Sequence, residues 1–305
     1  MSIHLGLDLG GTNIKAAVLE QGAGGPRVLT TATWPTESGE GPQRVLERLA
    51  EHGAATLEPH GAAATVGLAL PGHFDAQLGT GGLLPNLQGD WVGRPIAGPV
   101  GDALGRPVAL VNDVRALTLA EARLGAGRGL RDLLCVALGT GVGGGIVIDG
   151  QLVVGLGHAG EIGHVTADPD GPPCGCGNRG CLDRVAGAQT IAARAGQPSV
   201  ADAVVAAQAA LDSAAEAIGR VVAGAVVLLW PQRVIIGGGV AEAGDALLEP
   251  IRAEIRRRAC VVPMQRVDIV PAQLGPYAGA VGAALWGAEP GGARTPASAS
   301  ASAPT

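Results

Sequence analysis

The sequence predicts an α/β protein built from two similar halves. Three observations lead there. A short apolar strand, a glycine-threonine loop and a returning strand occur twice, about 130 residues apart, at 3–19 and again at 133–149. Between and after these hairpins, short β-rich runs alternate with stretches of helical periodicity. At 305 residues and 47% hydrophobic, the chain is long enough for two filled cores. Such an internal repeat suggests two half-domains facing each other across a cleft, each presenting one glycine hairpin. The expected division is 1–112 with 277–288 for a smaller domain and 113–276 for a larger one. The Gly, Ala, Ser, Thr and Pro tail at 289–305 has too few apolar groups to fold.

The first strand, 3–8, ends at Asp8, and the loop Gly10-Gly11-Thr12-Asn13 turns the chain back into a strand over 14–19. A hairpin here differs from the strand-loop-helix of a Rossmann or Walker site. It can still bring backbone N–H groups and the Thr12 hydroxyl against phosphate oxygens, with the Asp8 carboxylate placed to hold Mg²⁺ through water. A plain β-turn is the alternative for this loop taken alone. The only lysine, Lys15, lies beside it as a possible phosphate neighbour. The second copy runs from a strand at 133–138 through Gly139-Thr140-Gly141-Val142-Gly143-Gly144-Gly145 to a strand at 146–149. Two such loops closing on one polyphosphate is a sharper expectation than either loop alone.

Between the hairpins, 28–33 reads as a strand and 42–57 as an amphipathic helix with Val45, Leu46 and Leu49 on one face. A buried strand at 65–70 leads into a glycine-rich loop, 79–93, in which Asn86 has the groups to bind a polyol or cap a turn. A helix over 96–104 and a buried strand over 107–111 follow. Asn112-Asp113 then opens a helix over 114–124. Asp113 at this junction is either a helix N-cap or a general base at the carboxyl end of a strand, where open α/β sheets place ligands. Glu121, two turns into the helix, reads as a surface or hinge residue.

Three of the five cysteines, Cys174, Cys176 and Cys181, fall within eight residues, with His164 ten residues upstream. Thiolate and imidazole ligands suit zinc in a closed tetrahedral structural site. His158 is a possible substitute for His164, and disulfides or free thiols are the alternative. No basic, apolar and cleavage-site sequence of a secretory signal opens the chain, so a reducing cytoplasm is expected.

Beyond the cysteines, helices are expected at 185–194, 200–206, 209–229 and 241–258, strands at 233–236 and 267–270, a close-approach turn at Gly237-Gly238-Gly239, and a small-residue helix at 277–287. Net charge is −6, and no basic run exceeds Arg256-Arg257-Arg258, which offsets a helix C-terminal dipole; nucleic acid is not an expected partner. No apolar run is long enough to span a membrane.

Together these motifs resemble the ROK family of sugar kinases and repressors. The resemblance rests on Asp8-Leu9-Gly10-Gly11-Thr12, Asn112-Asp113, the 138–145 loop, Glu161-Ile162-Gly163-His164, the Cys174–Cys181 cluster and Gly237-Gly238-Gly239, and covers residues 3–288. It implies the two-domain actin-like, ribonuclease H-like or hexokinase-type ATPase fold with an interdomain cleft. It implies ATP and Mg²⁺ at Asp8, Gly10, Gly11, Thr12, Gly139, Thr140, Gly141, Gly238 and Gly239. It also implies a hexose at Asn86, Asn112, Asp113, Glu161, His164 and Asp183, with Asp113 as the general base and structural zinc on His164, Cys174, Cys176 and Cys181. His164 would serve both the zinc and the sugar. Two positions depart from the family pattern: Asp183 stands where glutamate is usual, and Val114-Arg115-Ala116 replaces Ala-Asn-Ala, bringing a bulky cation near the cleft. The expected activity is phosphorylation of glucose, with fructose, allose, mannose and N-acetylmannosamine as alternatives. A sugar-binding regulatory protein without kinase activity is the non-enzymatic reading. A repressor is disfavoured because the phosphate hairpin begins at Ile3. A homodimer or homotetramer is expected by family analogy.

Overall fold

The computed structural model describes residues 1–200, 202 and 208–289. They divide into two compact units, one formed by 1–120 with the segment from Tyr277 onward, the other by 121–276.

In the first unit β1 (Ser2–Leu9), β2 (Asn13–Gly22) and β3 (Gly25–Pro35) form an antiparallel meander. After α1 (Pro42–Leu57), β4 (Thr65–Leu70) pairs parallel to β1. The short pair β5 (Phe74–Asp75) and β6 (Thr80–Gly81) sits in the glycine-rich loop. Then come α2 (Ala97–Leu104), β7 (Val108–Asn112) parallel to β4, and α3 (Asp113–Leu124). The sheet order is β3-β2-β1-β4-β7. Val45, Leu46 and Leu49 of α1 are buried, as the periodicity requires, alongside Leu5, Leu7 and Leu68.

The second unit repeats this plan. Its antiparallel strands β8 (Leu133–Leu138), β9 (Val142–Ile148) and β10 (Gln151–Leu152) are followed by α4 (Leu182–Ala186), α5 (Ala188–Arg194) and α6 (Gln208–Leu229). Next are β11 (Arg233–Gly237), α7 (Asp245–Arg258) and β12 (Asp268–Pro271). β11 is parallel to both β8 and β12, giving the order β10-β9-β8-β11-β12. Each sheet thus has three antiparallel strands and then two parallel ones, so the repeat expected from two loops extends to the whole sheet. The chain then returns to the first unit as α8 (Ala278–Ala288).

The division between units falls inside α3, after Ala120, rather than after Asn112. The first turns of α3 belong to the first sheet's layer. Ala116 packs with Ala69, Val111 and Ala283, and a Cβ on Gly282 would fall 1.7 Å from the Ala116 carbonyl. The helix expected over 185–194 is two helices, because Gly187 adopts an extended ψ of 158° and breaks the ladder. α7 begins only at Asp245; residues 239–243 form a separate 3-10 turn. Arg257 and Arg258 of α7 are ion-paired with Glu254, so their charge is satisfied laterally as well as at the helix end. The helix expected over 200–206 and the unstructured tail lie outside the described residues, apart from 200, 202 and 289. No helix among the described residues is long and apolar enough to cross a membrane.

Candidate active site

The first glycine hairpin closes on the Leu9–Ile14 pair. Gly10 N–H donates across the turn to the Asn13 carbonyl at 3.0 Å. Thr36, fully buried at the end of β3, donates its hydroxyl to Gly10 O at 2.6 Å and its N–H to Thr12 O at 2.8 Å. Gly11 packs on Asn86: a Cβ there would lie 2.6 Å from the Asn86 carbonyl oxygen. Asn86 itself is exposed at a left-handed φ of 66°. With Gly10 N–H used inside the turn, the N–H groups of Gly11 and Thr12 face no protein acceptor among the described residues.

Asp8 lies one residue before this turn, opposite Lys15 in the β1–β2 register. Burial pushes its carboxyl up from 3.8 to about 6, and the Lys15 charge only partly opposes the rise. The N-terminal turn of α8 closes over it, since a Cβ on Gly279 would stand 2.5 Å from Asp8 Oδ2. Lys15 is therefore placed as the electrostatic neighbour of Asp8.

The second hairpin closes on Leu138–Val142. Gly139 N–H donates to Gly141 O at 2.8 Å, and the N–H of Val142 donates to Asp183 Oδ1 at 2.9 Å. Here too two consecutive N–H groups, of Thr140 and Gly141, meet no protein acceptor among the described residues. Gly238, at φ 86°, brings the turn after β11 against β8; a Cβ there would be 2.3 Å from Leu138 O. A cleft of about 390 Å³ opens beside the loop, bounded by Gly139, Thr140, Gln189, Pro198, Gly239 and Val240. Of the expected residues of the second unit, Gly139, Thr140 and Gly239 therefore share one cavity.

At the end of β7, Asn112 is buried and its Oδ1 accepts from the N–H groups of Val114 and Arg115 at 3.1 and 3.2 Å. Asn112 thus caps α3. Asp113 Oδ1 accepts from Val114 N at 2.8 Å, a contact with the next residue that leaves its helix-capping function to Asn112. Arg115 is buried at 2% exposure.

Glu161-Ile162-Gly163-His164 makes a 3-10 turn that packs on β9. Only glycine fits at 163, because a Cβ would fall 1.8 Å from Val142 O. This places Glu161 and His164, both half-buried, on the rim of the second hairpin. His164 joins Cys174, Cys176 and Cys181, and the ligand atoms of all four lie within 4.8 Å of one another. His164 Nδ1 is 3.7 Å from Cys174 Sγ, and Cys176 Sγ is 3.6 Å from Cys181 Sγ. All five cysteines are free thiols, and His158, exposed, does not join the group. Three thiols and one imidazole at this spacing suit a tetrahedral zinc ion. Burial pushes the Cys181 thiol up to about 12, so thiolate ligation there calls for a cation as counter-charge, whereas N–H donation at Asn178 helps hold Cys176 down.

Two carboxylates have partners far away in the sequence. Asp183 is engaged with the Val142 N–H. Glu121 is fully buried: Oε2 accepts from Ala126 N at 2.7 Å, and Oε1 accepts from Gln273 N at 2.9 Å and Leu274 N at 2.8 Å. It fastens the end of α3 to the segment after β12; of the two expected positions, surface or hinge, the first is excluded by its burial, and the residue stands at the division between the two units. Sequence reasoning also passed over Thr36, whose only signal is a threonine just after a strand end.

The ROK family pattern matches residues 4–289. The chain belongs to the ROK family. It is 33% identical over 307 residues to a glucokinase of Thermotoga maritima, covering 92% of this chain and 95% of that protein. The crystal structure of the ROK hexokinase from Thermus thermophilus superposes with a TM-score of 0.82 at 35% identity, covering 93% and 97% of the two chains. That of a ROK family glucokinase from Streptomyces griseus in complex with glucose and AMPPNP gives 0.76 at 30%, covering 94% and 99%. These ROK neighbours carry the two-domain actin-like ATPase fold, and the doubled sheet described above is its core.

Proposed function

We propose that this protein is an ATP-dependent hexose kinase, with glucose as its substrate and glucose 6-phosphate as product. The observation that carries the reading is the pair of glycine hairpins, each presenting two consecutive N–H groups with no protein acceptor among the described residues. That is the donor arrangement a polyphosphate needs. The cavity beside Gly139 and Gly239 has room for the nucleoside. The similarity to a glucokinase bound to glucose and AMPPNP supports both ligands.

On this reading Asp113 takes the proton of the attacking sugar hydroxyl. Asn86, Asn112, Glu161 and His164 bind the sugar hydroxyls, with His164 using Nε2 while Nδ1 faces the thiols. Gly10, Gly11, Thr12, Gly139, Thr140 and Gly141 receive the phosphates, and Gly238 and Gly239 close on the nucleotide. Mg²⁺ held through Asp8 would supply the positive charge that phosphoryl transfer requires. Zinc on the Cys₃His group is structural.

The test is ADP release from ATP-Mg²⁺ across glucose, fructose, allose, mannose and N-acetylmannosamine, repeated with Asp113→Asn. A sugar-dependent signal that falls by at least ~100-fold in the variant fits general-base catalysis and names the sugar. Zinc-loaded protein that is silent with every sugar would replace this reading with a sugar-binding protein.

A further inference from the structure

The second glycine hairpin is fastened to the metal cluster by a side chain that family resemblance assigns to the sugar. Asp183 is the second residue of α4, and Cys181, one of the four clustered ligands, is the residue that caps that helix. Leu182 between them is fully buried, and its N–H donates to Val165 O at 2.9 Å. A cation that fixes Cys181 therefore fixes the start of α4 and the base of the Asp183 side chain. From there Oδ1 reaches Val142 N at 2.9 Å. The fit is tight: a Cβ on Gly141 would lie only 2.2 Å from the same oxygen. The opposite side of Val142 is held by the close approach of Gly163 to its carbonyl, and Ala188 N–H donates to Gly139 O at 3.0 Å. A glutamate at 183 carries its carboxylate one methylene further from the helix, past the position from which Asp183 Oδ1 accepts.

We propose that Asp183 is a positioning residue for the Gly139–Gly141 turn, making the conformation of the nucleotide loop depend on the metal cluster. The proposal rests on the nucleotide-binding reading of that loop. By withdrawing the Val142 N–H, Asp183 leaves Thr140 and Gly141 as the donors and sets where they point.

The test is amide hydrogen exchange at 142–145 in the nucleotide-free protein, together with calorimetric binding of AMPPNP without sugar and of glucose without nucleotide. Asp183→Ala should speed exchange at Val142 and weaken AMPPNP by ~10-fold each, the scale of one charge-assisted hydrogen bond. Asp183→Glu should behave like the alanine variant. Asp183→Asn, whose amide oxygen still accepts from Val142, should stay within roughly threefold of the parent. Chelating the metal should reproduce the fast exchange in the parent and add nothing at Val142 in Asp183→Ala. Unchanged protection of Val142 in Asp183→Ala or after chelation, or a loss confined to glucose binding, would overturn the proposal. A protein that binds no AMPPNP in any form refutes the nucleotide reading, while the exchange data still decide whether Asp183 holds the loop.

Discussion

The two glycine hairpins have the same outline and different fasteners. In both, the first glycine N–H is spent across the turn and the next two N–H groups are left over. The first is held by a neutral hydroxyl, Thr36, and by the backbone of Asn86. The second is held by a carboxylate, Asp183, two residues from a thiol of the metal cluster. Their own carboxylates differ too. In the first hairpin Asp8 precedes the closing strand residue; at the matching place in the second the chain has Ala137, and negative charge arrives from a helix instead. Duplicated backbone has therefore been specialised: one copy carries a candidate cation site in its strand, and the other is tied to a distant cluster.

Metal removal is the strongest way to sharpen this contrast. Chelation should lower the thermal midpoint by at least about 5 °C, since binding free energy at such a site is folding free energy. Exchange should accelerate at 139–145 and stay unchanged at 10–13; equal loosening of both hairpins would break the comparison.

Next in size are the loop glycines. Gly11→Ala meets the Asn86 backbone, which cannot rotate away, and should cost ~100-fold in kcat/KM for ATP. Gly141→Ala meets a side-chain oxygen and should cost ~10-fold, with little further loss when Asp183→Ala is added, because both changes break one bond. Steady-state kinetics of the two singles and the double variant decide this. Thr36→Val keeps the shape and removes the hydroxyl donated to Gly10. It should cost about 1 kcal/mol in denaturant unfolding, with exchange raised only in the first hairpin.

The last test varies pH. Asp8 is protonated more readily in the folded chain, at about 6 against an ordinary 3.8, so between those values the native state binds more protons than the unfolded one. Its contribution to stability is present below about 4 and is lost as pH rises to about 6. Unfolding measured from pH 4 to 7 should show this fall in the parent and lose it in Asp8→Asn. On the proposed reading, in which Asp8 holds Mg²⁺, activity should fall on the acid side as this carboxylate becomes protonated, and the fall should move to lower pH as Mg²⁺ is raised.

Features that depend on local spacing were legible in the sequence. Both hairpins, α1 with its Val45-Leu46-Leu49 face, the Cys₃His group and the close approach at Gly238 follow from residue types a few positions apart. What the sequence hides is the partner of a polar side chain. Glu121 has the same neighbours in sequence as an exposed helical glutamate, and only the return of the chain at Gln273 and Leu274 shows why it is buried. Nothing local ties Asp183 to Val142, 41 residues earlier, so their hydrogen bond has no signal in the sequence. His158 and His164 were interchangeable on spacing; the close packing of Gly163 on β9 separates them. Gly187 stopped a helix where apolar periodicity ran straight through.

Helix α8 lies directly on the main chain of the first sheet. Added Cβ atoms on Gly6 and Gly67 would fall 1.9 and 1.8 Å from the carbonyl oxygens of Ala280 and Ala283. At these two glycines no side chain stands between helix and strand, so nothing at those contacts can change rotamer to absorb a displacement. A shift of the helix by the width of one methyl group is passed without cushioning to Gly279 and so to the carboxylate of Asp8. The seam works as a rigid gauge. A library of substitutions along α8 should therefore sort by volume alone, with alanine-to-serine exchanges tolerated and glycine-to-alanine exchanges lost.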